Sequence, residues 1–421
     1  MKRGTGIPVT LEPDLAATCA MTVREPWKIV RLLAFTQIVS WGSLYYAFAI
    51  VALDIQRELG WRTDIVFGAF SLSLLVAGLA ATPAGMLIDR IGGRVVMTTG
   101  SLLAGLGMIG VGLSHSLAMY FGAWTLIGIA MAMTLYEAAF ATINREFTHA
   151  SRKGISVLTL FGGLASTVFW PLTLKLNTLY GWRDTLLIYG AMHLALCMPL
   201  HALLAAGVRR ARQVTAHASR SFTLHEALRE PAFWKLAFAF STNLFIFSAL
   251  SVHLIPLLQR FGHSVAAAVL VSMLIGPMQV AGRVGEMVFA HRVRPQAVGI
   301  LTFSMLPAAL GALLLLGEQQ IAVAVFCILY GMSNGILTIV RGIVPQALFG
   351  RENYGAIAGA LAGPSLLSKA AGPLAAAAFV EYNASPAWLV GILFAVSILS
   401  LGCFLAAIRS RSGAAAMATA D

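Results

Sequence analysis

The chain has 421 residues, of which 58% are hydrophobic and only 11% charged, with a formal net charge of +12. That balance excludes an ordinary soluble domain, whose helices would carry a charged face throughout. The cations lie in short clusters between long apolar runs, so lipid is the expected partner and nucleic acid is not.

A membrane-spanning helix needs roughly 20 apolar residues. Runs of that length fall near 29–53, 63–88, 95–114, 117–142, 154–176, 184–207, 232–256, 264–290, 297–316, 321–344, 355–379 and 387–408. The predicted fold is all-α, with twelve transmembrane helices. They divide the chain into a tail (1–28), a six-helix bundle (29–207), a polar linker (208–231), a second six-helix bundle (232–408) and a short tail (409–421). The first run is too long for the core of a signal peptide, and no cleaved leader is expected. With the N-terminus in the cytoplasm, only Arg57, Arg62, Arg183 and Arg260 fall at the outer ends of spans. The asymmetry of positive charge therefore predicts both termini cytoplasmic, in the cell inner membrane.

On the first span Trp41, Tyr45 and Tyr46 are four and five residues apart, which puts them on roughly one helix face, where hydroxyls could line a cavity. Between the second and third spans stands Gly85-Met-Leu-Ile-Asp89-Arg90-Ile-Gly92-Gly93-Arg94. Glycines allow a sharp connection there, and Asp89 beside Arg90 and Arg94 can make charge-assisted bonds and face the N-terminus of the following helix. The fourth span carries Glu137, which can either hold a proton or pair with a cation of its own half. In the linker, Arg209, Arg210, Arg212 and Arg220 precede Thr223 and Glu226, whose spacing is that of a capping box. A short amphipathic helix at the membrane surface is expected there.

Ionisable groups inside a span cost several kcal/mol unless satisfied, so each is a functional candidate. Arg283 on the eighth span is three residues from Glu286, so the two can pair, or Arg283 can face a cavity and hold a carboxylate. Lys369 lies near the middle of the eleventh span, about 15 Å from either end, too deep to reach water easily. Glycines and prolines surround it (Gly363, Pro364, Gly372, Pro373). The two cations differ in depth by roughly 13 Å. Lys175 and Arg341 stand near span ends and are expected to snorkel. His193, His201 and His253 are read as packing residues. Four dispersed cysteines form no disulfide or metal pattern, and no cofactor or metal is expected.

Repetition is faint. Gly60-Trp61-Arg62 recurs as Gly181-Trp182-Arg183, and His291-Arg292 stands in the second half where Asp89-Arg90 stands in the first. Two weakly similar six-span halves suit a transporter with its site between them.

The 85–94 stretch resembles the loop signature of the major facilitator superfamily at Gly85, Asp89, Arg90, Gly92 and Arg94, with Gly93 where that family usually has a cation. Trp41, Tyr45 and Tyr46 on the first span, the arginine on the eighth and the lysine on the eleventh resemble the monocarboxylate porter and oxalate/formate antiporter branch. The resemblance implies a major facilitator fold and a substrate carboxylate held by Arg283 and Lys369. The expected protein is a monomeric secondary transporter of a small organic anion, not an enzyme, coupled to protons or a counter-anion. Loop residues 85–94 would latch its cytoplasmic side, and Glu137 would carry the coupling proton. The alternative is proton-coupled efflux of an apolar or cationic toxicant.

Overall fold

The computed structural model describes residues 13–147, 151–204, 221–290, 292–382 and 385–417. The cluster of Arg209, Arg210, Arg212 and Arg220, and His291 of the second-half relic, lie outside the described residues. Every regular element described is helical.

Helix α1 runs over Pro13–Trp41, through a π turn at Gly42–Tyr46, into Phe48–Leu59. Then come α2 (Thr63–Ile91), α3 (Gly93–Gly112) and α4, which is broken into Leu117–Thr134 and Tyr136–Glu146. Helix α5 has a first part, Ser151–Gly162, and continues over 165–180. Gly181, at φ +81°, separates it from α6 (182–202), and a φ of that sign suits glycine alone. The second half holds α7 (Pro231–Arg260), α8 (Val265–Ser272, then Ile275–Phe289), α9 (Pro295–Leu316), α10 (Gln320–Phe349), α11 (Tyr354–Tyr382) and α12 (Pro386–Met417). Ten helical stretches are long and apolar enough to cross a membrane, and one of them, Ser151–Ala202, contains both α5 and α6. Helix α11 is of the same length but rich in glycine and alanine.

Thr223 and Glu226 form the capping box and start a short helix, Leu224–Arg229. Phe222 fastens it to the rest: its N–H donates to the Phe349 carbonyl at 2.8 Å, and its own carbonyl accepts from Asn353 Nδ2 at 2.9 Å. That helix, the α2–α3 connection and the α10–α11 connection share one face of the molecule, called here the loop face.

The halves meet most closely where α2 crosses α11. Gly355, Gly359 and Gly363 recur every fourth residue on α11, so they share one face, and they oppose Gly85, Ala81 and Gly78 on α2. A Cβ at Gly85 would overlap the Gly355 carbonyl, and one at Gly359 would overlap that of Ala81. Close backbone approach of this kind is how helices associate where there is no water to drive them together. Gly355→Val is therefore expected to cost about 1–3 kcal/mol and lower the melting temperature in detergent. Gly402→Ala, which meets nothing within 4 Å, is the control and leaves melting unchanged.

Candidate functional site

The π turn of α1 decides where its aromatic side chains go. In it the Ala47 N–H donates to the Gly42 carbonyl, a five-residue step that brings both the fourth and fifth residues over the first. Tyr45 and Tyr46 thus both reach Trp41, with ring centroids at 5.5 and 6.3 Å. Tyr136 joins them from α4, 5.0 Å from Trp41. The turn is tied to α6: Ser43 Oγ lies 2.8 Å from His193 Nε2. Ser43 donates its proton to the Val39 carbonyl, so His193 donates from Nε2. His201, on the same helix, donates from Nε2 to Thr36, whose own proton goes to Leu33. The two histidines are eight residues apart and their partners seven, and a π turn at His193–Cys197 absorbs the difference. Both histidines act as buried structural donors.

Lys369 enters the ring cluster from α11. Its Nζ stands 4.0 Å from the Tyr45 centroid and 5.5 Å from that of Trp41. Arg283 approaches from α8, with its Nη1 against Gly163, the residue after the Gly162 backbone that faces the Tyr136 hydroxyl. Arg283 is only 6% exposed, and its Nε has no hydrogen-bond partner.

Arg283 is not paired with Glu286. That carboxylate, 3% exposed, takes Arg152 of α5 at 2.7 Å and the Ser156 hydroxyl at 2.7 Å. Arg152 also donates to the carbonyls of Ala290 and Val293 at the end of α8. The expectation that Arg341 snorkels is corrected too. Arg341 of α10 meets Glu137 of α4 at 2.8 Å, so Glu137 pairs with a cation of the other half and not of its own. A small cavity of about 20 Å³, room for one water, lies against that pair and is lined by Phe140, Phe240 and Tyr354. Glu137 sits in the first turn after the break in α4, where Leu135 is extended and Gln37 Nε2 donates to the buried carbonyl of Thr134. No intramembrane charge reading could place these partners, which are 134 and 204 residues away in sequence.

At the loop face Asp89 does not bond to Arg90 or Arg94, both of which are exposed. Its two oxygens accept from the first N–H groups of α11, Gly355 at 3.0 Å and Ala356 at 2.8 Å. A carboxylate against the positive end of a helix is favourable, and this one joins the two halves. Arg145 of α4 caps the end of α2 through the carbonyls of Ile88 and Asp89 and stacks beside Gly92. Gly93 has no space for the cation usual at that position, since a Cβ there would overlap Thr142. Arg351 Nε adds a further link to the Asn144 carbonyl at 2.7 Å.

Among the described residues, the hydrogen bonds between the halves are one-sided. Asp89–Gly355, Arg152–Glu286, Glu137–Arg341, Ser151–Gln346 and Arg351–Asn144 all lie between the ring cluster and the loop face. The molecule is closed on that face. Removing one partner of a buried ion pair leaves an uncompensated charge, at a cost of about 3–5 kcal/mol. Arg152→Ala is therefore expected to lower the melting temperature sharply, and Arg152→Ala with Glu286→Gln to recover much of the loss. Equal melting of the single and double variants would show that the pair carries no such charge penalty.

Known proteins give the context. The model of the Major Facilitator Superfamily matches residues 33–373. Monocarboxylate transporter 4 of Rattus norvegicus is 24% identical over 328 residues, covering 75% of this chain and 69% of its own. The oxalate:formate antiporter of Oxalobacter formigenes is 23% identical over 378 residues, covering 86% and 88%. Among solved structures, FucP in the outward conformation superposes with a TM-score of 0.65 at 13% identity, over 89% of this chain and 98% of that one. The human organic anion transporter MFSD10 (TETRAN) does so with a TM-score of 0.60 at 17% identity, over 93% and 100%.

Proposed function

The chain belongs to the major facilitator superfamily, and on that premise we propose that it is a secondary active transporter of a small organic anion. The observation that carries this reading is a pair of intramembrane cations, Arg283 and Lys369, beside a tyrosine-rich cluster and, among the described residues, with no carboxylate in ion-pair range. The other intramembrane cation on these central helices, Arg341, already has its carboxylate. A charge buried without a counter-ion, as Arg283 is, is expensive, and an incoming carboxylate relieves that cost. Relatives named as monocarboxylate transporters and as an oxalate:formate antiporter support a carboxylate as substrate.

The loop face is taken as cytoplasmic, from the distribution of Lys and Arg, with both termini on that side and the cell inner membrane as location. The described state is then closed inward, and its site is reached from outside. Both cations belong to the second half, whereas Trp41, Tyr45, Tyr46 and Tyr136 belong to the first. An anion bound to the cations and accepting from tyrosine hydroxyls draws the halves together around it. Rocking about that point then separates the loop-face contacts and opens the site inward. Asp89 is the latch at α11, with Gly85 allowing its approach, and Arg145 takes the supporting role first expected of Arg90 and Arg94. Glu137 is the proposed proton site, because a proton there would discharge the Glu137–Arg341 link between the halves. One chain contains the whole cluster, so a monomer suffices.

Uptake of radiolabelled oxalate, formate and lactate into proteoliposomes tests the reading. Wild type is expected to accumulate at least one of them, and Lys369→Ala is expected to lose more than about 90% of the rate, the ~1.4 kcal/mol or more of a lost charged contact. Exchange of a cationic dye for protons, with no anion moved, would replace this reading with efflux. Asp89→Asn keeps the shape of the side chain but weakens the latch; it is expected to slow net uptake while leaving melting within a few degrees of wild type. Unchanged uptake rates would remove Asp89 from the cycle.

A further inference from the structure

Arg283 has to be held somewhere when no anion is bound. Its guanidinium lies against backbone: a Cβ built on Gly163 would overlap Nη1 and stand 2.8 Å from Cζ. The preceding residue does the same for the neighbouring group, since a Cβ on Gly162 would be 2.6 Å from the Tyr136 hydroxyl. Gly162 ends the first part of α5, and Gly163 lies with Leu164 in the turn that follows. The helix has lost its side chains at the one step where Arg283 from α8 and Tyr136 from α4 come in together.

We propose that Gly162-Gly163 is a seat that aims Arg283 and Tyr136 at the substrate, with Gly163 a positioning residue for the cation. The inference rests on the anion reading of the site. The seat crosses the halves, because Gly163 belongs to the first and Arg283 to the second. It is complete only while α5 and α8 are held together at the loop face, where Arg152 takes Glu286. When those helices part, Arg283 loses its support and its aim. The seat therefore makes anion affinity depend on which face is open: tight with the loop face closed, weaker once it opens and the anion must leave. An arginine fixed by its own helix alone would not have this property.

The test is a double-mutant cycle on the purified, detergent-solubilised chain, read by equilibrium binding of radiolabelled oxalate and formate and by thermal melting without ligand. Gly163→Ala is expected to raise the dissociation constant about tenfold and to lower the melting temperature by several degrees. Arg283→Ala raises the dissociation constant at least as far, and adding Gly163→Ala to it changes neither binding nor melting further, because the clash has gone. Gly122→Ala, which meets nothing within 4 Å, leaves both readings at wild type. Effects of the two substitutions that simply add would overturn the seat. If wild type binds neither probe, the anion reading falls by itself. The seat is then decided by melting alone, surviving if Arg283→Ala suppresses the Gly163→Ala defect and falling if the shifts add.

Discussion

A charge between the two faces of this molecule has little water to turn to, and the arrangement of the helices follows from how each charge is answered. Glu286 and Arg152, and Glu137 and Arg341, are answered by each other. Asp89 is answered by the open N–H groups that begin α11. Arg283 and Lys369 are answered only by aromatic faces and backbone. The first group joins the halves, and the second, on the function proposed above, leaves a place for an anion. On that proposal, structure and transport divide the same small set of ionisable residues between them, by whether the protein itself supplies the counter-charge.

The answered charges are also the ones that set the state. They cross between halves on α2–α11, α5–α8 and α4–α10, and all are on the loop side of the rings. None of these contacts is large. A hydrogen bond to a charged group is worth about 1.5–3 kcal/mol, so several of them together hold a face closed without making it impossible to open. Glycines at 85, 355 and 359 bring α2 and α11 close enough for Asp89 to reach across. Bulk at those positions would separate the helices before any charge was altered.

Much of the architecture was legible because it is local. Span lengths, the six-and-six division and the capping box at Thr223 and Glu226 depend on neighbours in the chain. Asp89 was correctly seen to face a helix N-terminus, although that helix is α11 and not the one that follows the loop. The site was legible in part. Lys369 and Arg283 stood out because a lone cation amid apolar residues has few innocent explanations, and Trp41, Tyr45 and Tyr46 were correctly grouped. Tyr136 was passed over in favour of Glu137, since a charge draws attention that a tyrosine beside it does not. Arg341 was misread because its distance from a span end suggested snorkelling, and nothing in the sequence ties it to Glu137. The π turns gave no signal either: Gly42 and His193 would both be at home in a regular helix.

One of those π turns bears on descent. His193 and His201 are separated by one residue more than the hydroxyls they serve on α1, and the turn between them takes up the surplus. In a regular helix the extra residue would swing one histidine about 100° away from its partner. The turn therefore has the form of a single inserted codon whose consequences were contained on the spot. Relatives that lack the insertion would keep both bonds with a straight α6 shorter by one residue. Their kinship with this chain in α6 would then show as a gap of one, where a count of identities would record only divergence.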